Sequence, residues 1–95
     1  MGYRLTRQAE QDLIDIYLTG ASDFGVPQAE RYADGFGRSF AFLAEYPRAA
    51  RERVETRPRV RIHPYRSHLI VYITEGEDIL IVRIRHGRED WVNDD

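Results

Sequence analysis

"HLIVYITEGEDILIVRIR", residues 68–85, decides the fold. Two runs of β-branched and aliphatic residues, 68–73 and 79–85, flank "TEGED" at 74–78, where Gly76 is the turn residue. Apolar runs this short, bounded by turn chemistry, read as strands. Joined by a short polar loop, they predict a β-hairpin. Its strands are apolar enough to be buried on one face throughout and on both faces in part, so another layer must cover them.

Upstream, "RVETRPRVRIHPYR" at 53–66 alternates, with Val54, Val60 and Ile62 against Arg53, Arg59 and Arg61. Pro58 and Pro64 mark this as an edge strand or a strand with breaks, since proline cannot donate to a ladder. The missing layer lies in the first half of the chain. "YRL" at 3–5 reads as a short strand. Thr6 is a candidate N-cap, and Glu10 falls in the first turn, where a carboxylate favours the helix dipole. Ala9, Leu13, Ile16, Tyr17 and Gly20 recur at three- and four-residue steps, which predicts an amphipathic helix over roughly 7–22, with Asp12 and Asp15 on its solvated face. Gly25 closes that helix and Pro27 suits the first turn of the next. Ala29, Tyr32, Ala33, Phe36, Phe40, Leu43 and Ala44 form a second apolar stripe, ending near Glu45, before Pro47. Gly35 and Gly37 interrupt it at about 1 kcal/mol each against Ala, which suggests that another backbone comes close there. The order β-α-α-β-β-β is an α+β class: a small antiparallel β-sheet with an N-terminal α-helical hairpin packed on it, one domain over 1–95.

Composition narrows the functional classes. The chain has 95 residues, 42% of them hydrophobic, which suits one folded core. No apolar run approaches the ~20 residues of a membrane helix, and the N-terminus lacks the apolar stretch of a signal peptide. There is no cysteine, so disulfides, thiolate metal sites and a cysteine nucleophile are excluded, and the expected location is cytoplasmic. All 14 basic residues are arginine, which removes a lysine base from consideration. The net charge of −2 is unevenly distributed: residues 48–72 hold seven arginines against Glu52 and Glu55, while both flanks are acidic. The basic middle either meets a negative partner or pairs with acid inside the fold, through Glu52, Glu55 and Glu89.

Candidate chemistry is sparse. His63, His68 and His86 match no metal-ligand spacing, so no metal is expected. Ser67 has no glycine elbow around it and reads as a turn residue. The Arg cluster 57–66 with His63, Tyr65, His86 and Arg88 holds the parts of a metal-free ribonuclease: a base, an acid and an arginine for the phosphorane. The same side chains serve equally as a plain anion- or protein-binding face.

Five stretches, taken in order, carry a family resemblance: "YRLTRQAEQDLIDIY", "FGVPQAERYADGF", "FAFLAEYPRAAR", "RVRIHPYRSHLIVYI" and "ILIVRIRHGREDW". Together, over about residues 3–91, they resemble the ParE toxins of bacterial type II toxin–antitoxin modules, within the RelE/ParE superfamily. The resemblance implies the fold just described, no cofactor, and poisoning of DNA gyrase by protein–protein contact. It implies a ParD-like partner, a ribbon-helix-helix antitoxin whose tail wraps the toxin, with operator DNA bound only through that antitoxin. Target-binding residues are expected at Arg61, Tyr65, Arg66, His86, Arg88 and Trp91. Antitoxin contacts are expected at Leu13, Tyr17, Phe36, Phe40, Arg57 and Arg59. The RelE-type branch instead cuts messenger RNA on the ribosome, and that alternative would use Arg61, Tyr65, Arg83 and His86. For His86 the plain alternative is a strand-end histidine bonded to Glu89 or Asp90, and for Arg83 a pairing within the fold.

Overall fold

The structure is a computed structural model, and it describes residues 2–87. Its elements are β1 (Tyr3–Leu5), α1 (Arg7–Phe24), α2 (Val26–Glu45), β2 (Glu52–Arg53), β3 (Val60–Tyr65), β4 (His68–Glu75) and β5 (Asp78–His86). Thr6 caps α1: its backbone is extended and its Oγ1 accepts the Ala9 N–H at 3.0 Å. Gly25, at φ +93°, closes α1 through an N–H bond to the Ala21 carbonyl and also precedes α2. Few residues but glycine hold that φ, which fixes the hairpin's position in the sequence. Pro27 lies in the first turn of α2, where its missing N–H costs nothing, and α2 stops at Tyr46, before Pro47.

The sheet order is β1-β5-β4-β3-β2. Strands β2 to β5 form an antiparallel meander, but β1 lies parallel to β5, with Tyr3 opposite Ile79 and Leu5 opposite Ile81. The sheet is therefore mixed rather than wholly antiparallel. The helical hairpin carries the chain from β1 to the far edge, and a four-strand meander returns it running in the same direction as it left. The 53–66 segment divides into β2 and β3, with residues 54–59 between them. The turn expected over 74–78 is tighter, since Glu75 and Asp78 pair and only Gly76, at φ +60°, and Glu77 lie outside the ladder.

One face of the sheet carries the helices. Ala9, Phe36, Phe40, Leu43 and Ala44 interlock with Ile70, Tyr72, Ile79, Ile81 and Ile84. Two polar clamps tie the connection after α2 to this core: the Tyr72 hydroxyl donates to the Pro47 carbonyl at 2.8 Å, and the Arg61 guanidinium to the Ala50 carbonyl at 2.7 Å. Burial of the Tyr72 phenol raises its pKa, so it stays a donor across the neutral range.

Asp12 departs from expectation. Its side chain is only 14% exposed, and it accepts from Arg83 Nε at 2.8 Å, from Arg83 Nη2 at 3.1 Å and from the Ile84 N–H at 2.9 Å. The cause is a bulge. Val71 pairs with Arg83 and Tyr72 with Ile81, so Val82 is extra. Beyond the end of the short β1, the edge of β5 has polar backbone groups to satisfy. Thr6 Oγ1 donates to the Val82 carbonyl at 2.7 Å, and Asp12 takes the Ile84 N–H. Asp15 does face outward, accepting from Gln11 Nε2 at 2.9 Å.

Candidate functional site

An apolar cleft of about 790 Å³ lies between the two helices. Leu13, Ile16, Tyr17 and Gly20 line it from α1, and Ala29, Ala33, Phe36, Gly37 and Phe40 from α2. The space between their facing stripes is left partly unfilled. Phe36 and Phe40 are 1% and 3% exposed, so they form the floor and belong to the protein's own core. Leu13 and Tyr17 are half-buried on the wall. The four apolar residues expected at a partner surface thus share one cleft. Arg57 and Arg59 stand elsewhere, in the β2–β3 connection. Arg57 donates to the Val54 and Thr56 carbonyls at 3.0 and 3.1 Å, and Arg59 lies 4.0 Å from Glu52. With Arg53 beside Glu55 at 3.5 Å, the basic middle is in part paired at home by exposed, weak contacts.

At its sheet end the cleft turns polar, with Ser67, His68 and His86 in the lining. The register explains this. A two-residue turn, Arg66-Ser67, sets Tyr65 opposite His68, and His68 pairs across to His86. The two imidazoles are 5.3 Å apart, ring to ring. The Tyr32 hydroxyl bonds His68 Nδ1 at 2.8 Å, giving its proton to a bare nitrogen or accepting from Nδ1–H, according to the tautomer. Burial of this phenol raises its pKa, so it remains protonated at neutral pH. Tyr65 packs at a tilt against both Tyr32 and Phe36, and its hydroxyl donates to the Tyr32 carbonyl at 3.1 Å. What comes close to Gly35 is therefore this phenol rather than a backbone: a Cβ there would lie 1.8 Å from the Tyr65 oxygen. Nothing lies within 4 Å of a Cβ built at Gly37, which faces the open cleft. Arg66, at φ +52°, is exposed, with its guanidinium 5.9 Å above the Tyr65 ring.

The residues a nuclease would need are scattered. Arg61 lies in the Tyr72 row and His86 in the His68 row, four residues or about 13 Å along β4. Arg61 is engaged with Ala50 and Arg83 with Asp12, while Tyr65 and His86 both adjoin His68. Arg61 also borders a second, more polar hollow of about 720 Å³ with Phe42, Tyr46 and Arg48. His63 stands against Phe42, ring to ring at 5.8 Å, and burial lowers its pKa. Arg88 and Trp91 lie outside the described residues. Among the described residues no group of three His, Asp or Glu side chains is placed to hold a metal ion, and no helix is long and apolar enough to cross a membrane.

His68, Tyr32 and Ser67 are cleft residues that the sequence reading did not assign to a site. The available signal was the turn: once Arg66-Ser67 is read as a two-residue loop, Tyr65 must face His68. Comparison with known proteins agrees with this architecture. The profile of the family described as "ParE toxin of type II toxin-antitoxin system, parDE" matches residues 3–91. Toxin ParE3 of Caulobacter vibrioides is 30% identical over 83 residues, covering 87% of this chain and 83% of that protein. Toxin ParE1 of Mycobacterium tuberculosis is 33% identical over 89 residues, covering 93% and 91%. A solved structure titled "Chromosomal ParDE TA system from P. aeruginosa" superimposes with a TM-score of 0.78 at 24% identity, over 90% of this chain and 95% of that one, and shares the fold.

Proposed function

Because this chain belongs to the ParE toxins of type II toxin–antitoxin systems, we propose that it arrests growth by poisoning DNA gyrase and is neutralised by a ParD-like antitoxin seated in the α1–α2 cleft. The observation that carries the antitoxin half is the cleft itself. It is apolar, open and about 790 Å³ in volume, and its walls carry Leu13 and Tyr17 at helical spacing. A partner helix with an apolar stripe fits such a groove, and a tail that folds on binding can cover much of it. The gyrase half follows from the family resemblance. It is supported, among the described residues, by the separation of Arg61 from His86 along β4 and by the pairing of Arg83 with Asp12, which keep these two arginines from His86.

Two experiments in cells test the reading. Inducing the toxin alone should stop growth, and co-expressing a short ribbon-helix-helix protein from the neighbouring reading frame should restore it. Tyr17→Asp places a charge on the cleft wall. It should stay toxic while losing rescue by about 2 kcal/mol of binding or more, the cost of burying an unpaired charged group. Rescue of the Asp variant at wild-type strength would remove the cleft from the proposal. Absence of toxicity in a folded protein would remove the toxin activity.

A further inference from the structure

Where the chain leaves α2, aromatic rings and arginines come to the surface together. Phe42 and Tyr46, about one helical turn apart, are 45% and 55% exposed, with their rings 5.4 Å from each other. The core does not take them, since Leu43 and Ala44 fill the buried side of this turn. His63 of β3 continues the row against Phe42, and the burial that lowers its pKa keeps it uncharged at neutral pH. Arg61, two residues earlier on the same side of β3, lines the hollow beside these rings, and Arg48 lines it from the connection after α2. The bond to the Ala50 carbonyl already holds the Arg61 guanidinium, so little ordering is left for a partner to impose. Arg48 is exposed and forms no ion pair among the described residues. Over residues 45–61 the arginines stand at 48, 51, 53, 57, 59 and 61, and the acids at 45, 52 and 55. Arg53 with Glu55 and Arg59 with Glu52 offset one another, which leaves Arg48, Arg51, Arg57 and Arg61 against Glu45.

We propose that this hollow receives an acidic segment of a protein partner, with a carboxylate between Arg48 and Arg61 and an apolar side chain against Tyr46 and Phe42. Planar guanidinium groups match a carboxylate in two-pronged fashion, and exposed Tyr and Arg are the side chains that anchor protein interfaces. A nucleic acid would meet the same groups, but the chain as a whole carries a net charge of −2, with acidic flanks on either side of its basic middle. A polyphosphate needs a broadly basic surface, whereas one or two carboxylates need only the local excess. The lining of the hollow shares no residue with that of the apolar cleft, so the segment is not the one assigned to the cleft. The partner is the toxin's target. In that identification the inference rests on the proposed function; the chemistry of the surface does not.

The surface is tested first without the target, by titrating the full-length toxin with the peptide Asp-Phe-Asp-Glu and following amide resonances by NMR. Shifts should centre on Tyr46, Arg48 and Arg61, with a roughly millimolar midpoint because a flexible peptide is ordered on binding. They should weaken as salt is raised. Arg48→Glu should raise the midpoint about tenfold or more, and Glu45→Arg, which adds to the cationic excess, should lower it about fivefold. Both positions are exposed, so circular dichroism should stay that of the wild type. No shift at the hollow overturns the proposal, as does tighter binding there by an oligothymidine, which would make the ligand a nucleic acid. The second arm uses gyrase and plasmid: Arg48→Glu should need about tenfold more toxin for the same linear DNA, with antitoxin affinity unchanged. If the wild type poisons gyrase and Arg48→Glu does so at the same dose, the target docks elsewhere and the inference fails. If the peptide binds at the hollow and the wild type leaves gyrase untouched, the surface stands and the failure lies in the proposed function.

Discussion

Two glycines two residues apart on α2 show how far a single position is determined by its neighbour. At Gly35 the Tyr65 phenol packs directly on the helix, and a methyl group would lie 1.8 Å from its oxygen and 2.5 Å from the carbon bearing it. At Gly37 there is open space. Helix propensity favours alanine at both by about 1 kcal/mol, but overpacking a core contact costs about 1–3 kcal/mol. Gly37→Ala should therefore stabilise the protein by up to about 1 kcal/mol in urea unfolding, and Gly35→Ala should destabilise it by about 2. Combining Gly35→Ala with Tyr65→Leu should cancel most of that penalty, and additive effects would show that the phenol is not what the glycine accommodates. In sequence the two glycines look alike. Only the β3–β4 register, which brings Tyr65 to α2, separates them.

At the scale of elements, α1 is fastened to the sheet by more than its apolar stripe. Thr6 caps the helix and closes the Val82 carbonyl, and Asp12 closes the Ile84 N–H while holding Arg83 in a two-pronged pair. Asp12→Ala leaves a half-buried guanidinium without that carboxylate and a strand N–H without its acceptor. We expect a loss of about 2–3 kcal/mol, read as a lower urea midpoint at unchanged m. Asp12→Asn, which still accepts from Ile84, should lose about half as much. A change within about 0.5 kcal/mol, typical of solvated surface sites, would contradict the role. The elements themselves were legible in the sequence because each is locally signalled. Thr6, Gly25, Pro27 and Pro47 punctuate the helices, and uniform apolar runs mark β4 and β5. The parallel β1–β5 pair and the function of Asp12 were not legible. The first follows from the course of the four-strand meander and the second from the Val82 bulge and from where β1 ends, which are long-range pairing facts with no period-2 or period-3.6 trace.

For the molecule as described over residues 2–87, the helical layer and the sheet leave an apolar cleft, and the basic middle lies mostly away from it. Leu13, Tyr17, Phe36 and Phe40 could be assigned to one face from their spacing, but spacing does not divide floor from wall. Phe36 and Phe40 are floor because Tyr65 and Tyr3 pack against them, ring tilted to ring, from the sheet side. Arg57 and Arg59 shared only a charge pattern with that face, and their loop holds them elsewhere. Of the residues expected at the target, Arg61 borders the Phe42 hollow away from the antitoxin's proposed seat, while Tyr65, Arg66 and His86 stand at the sheet end of the cleft.

The central claim is that the toxin acts on gyrase, and one assay addresses it directly. Purified toxin is incubated with gyrase from the same host, supercoiled plasmid and ATP, and the DNA is scored for linear product after protease treatment. The account predicts linear DNA that rises with toxin dose and disappears when the antitoxin is added first. Intact DNA with unimpaired supercoiling, from a toxin shown to be folded, would contradict it.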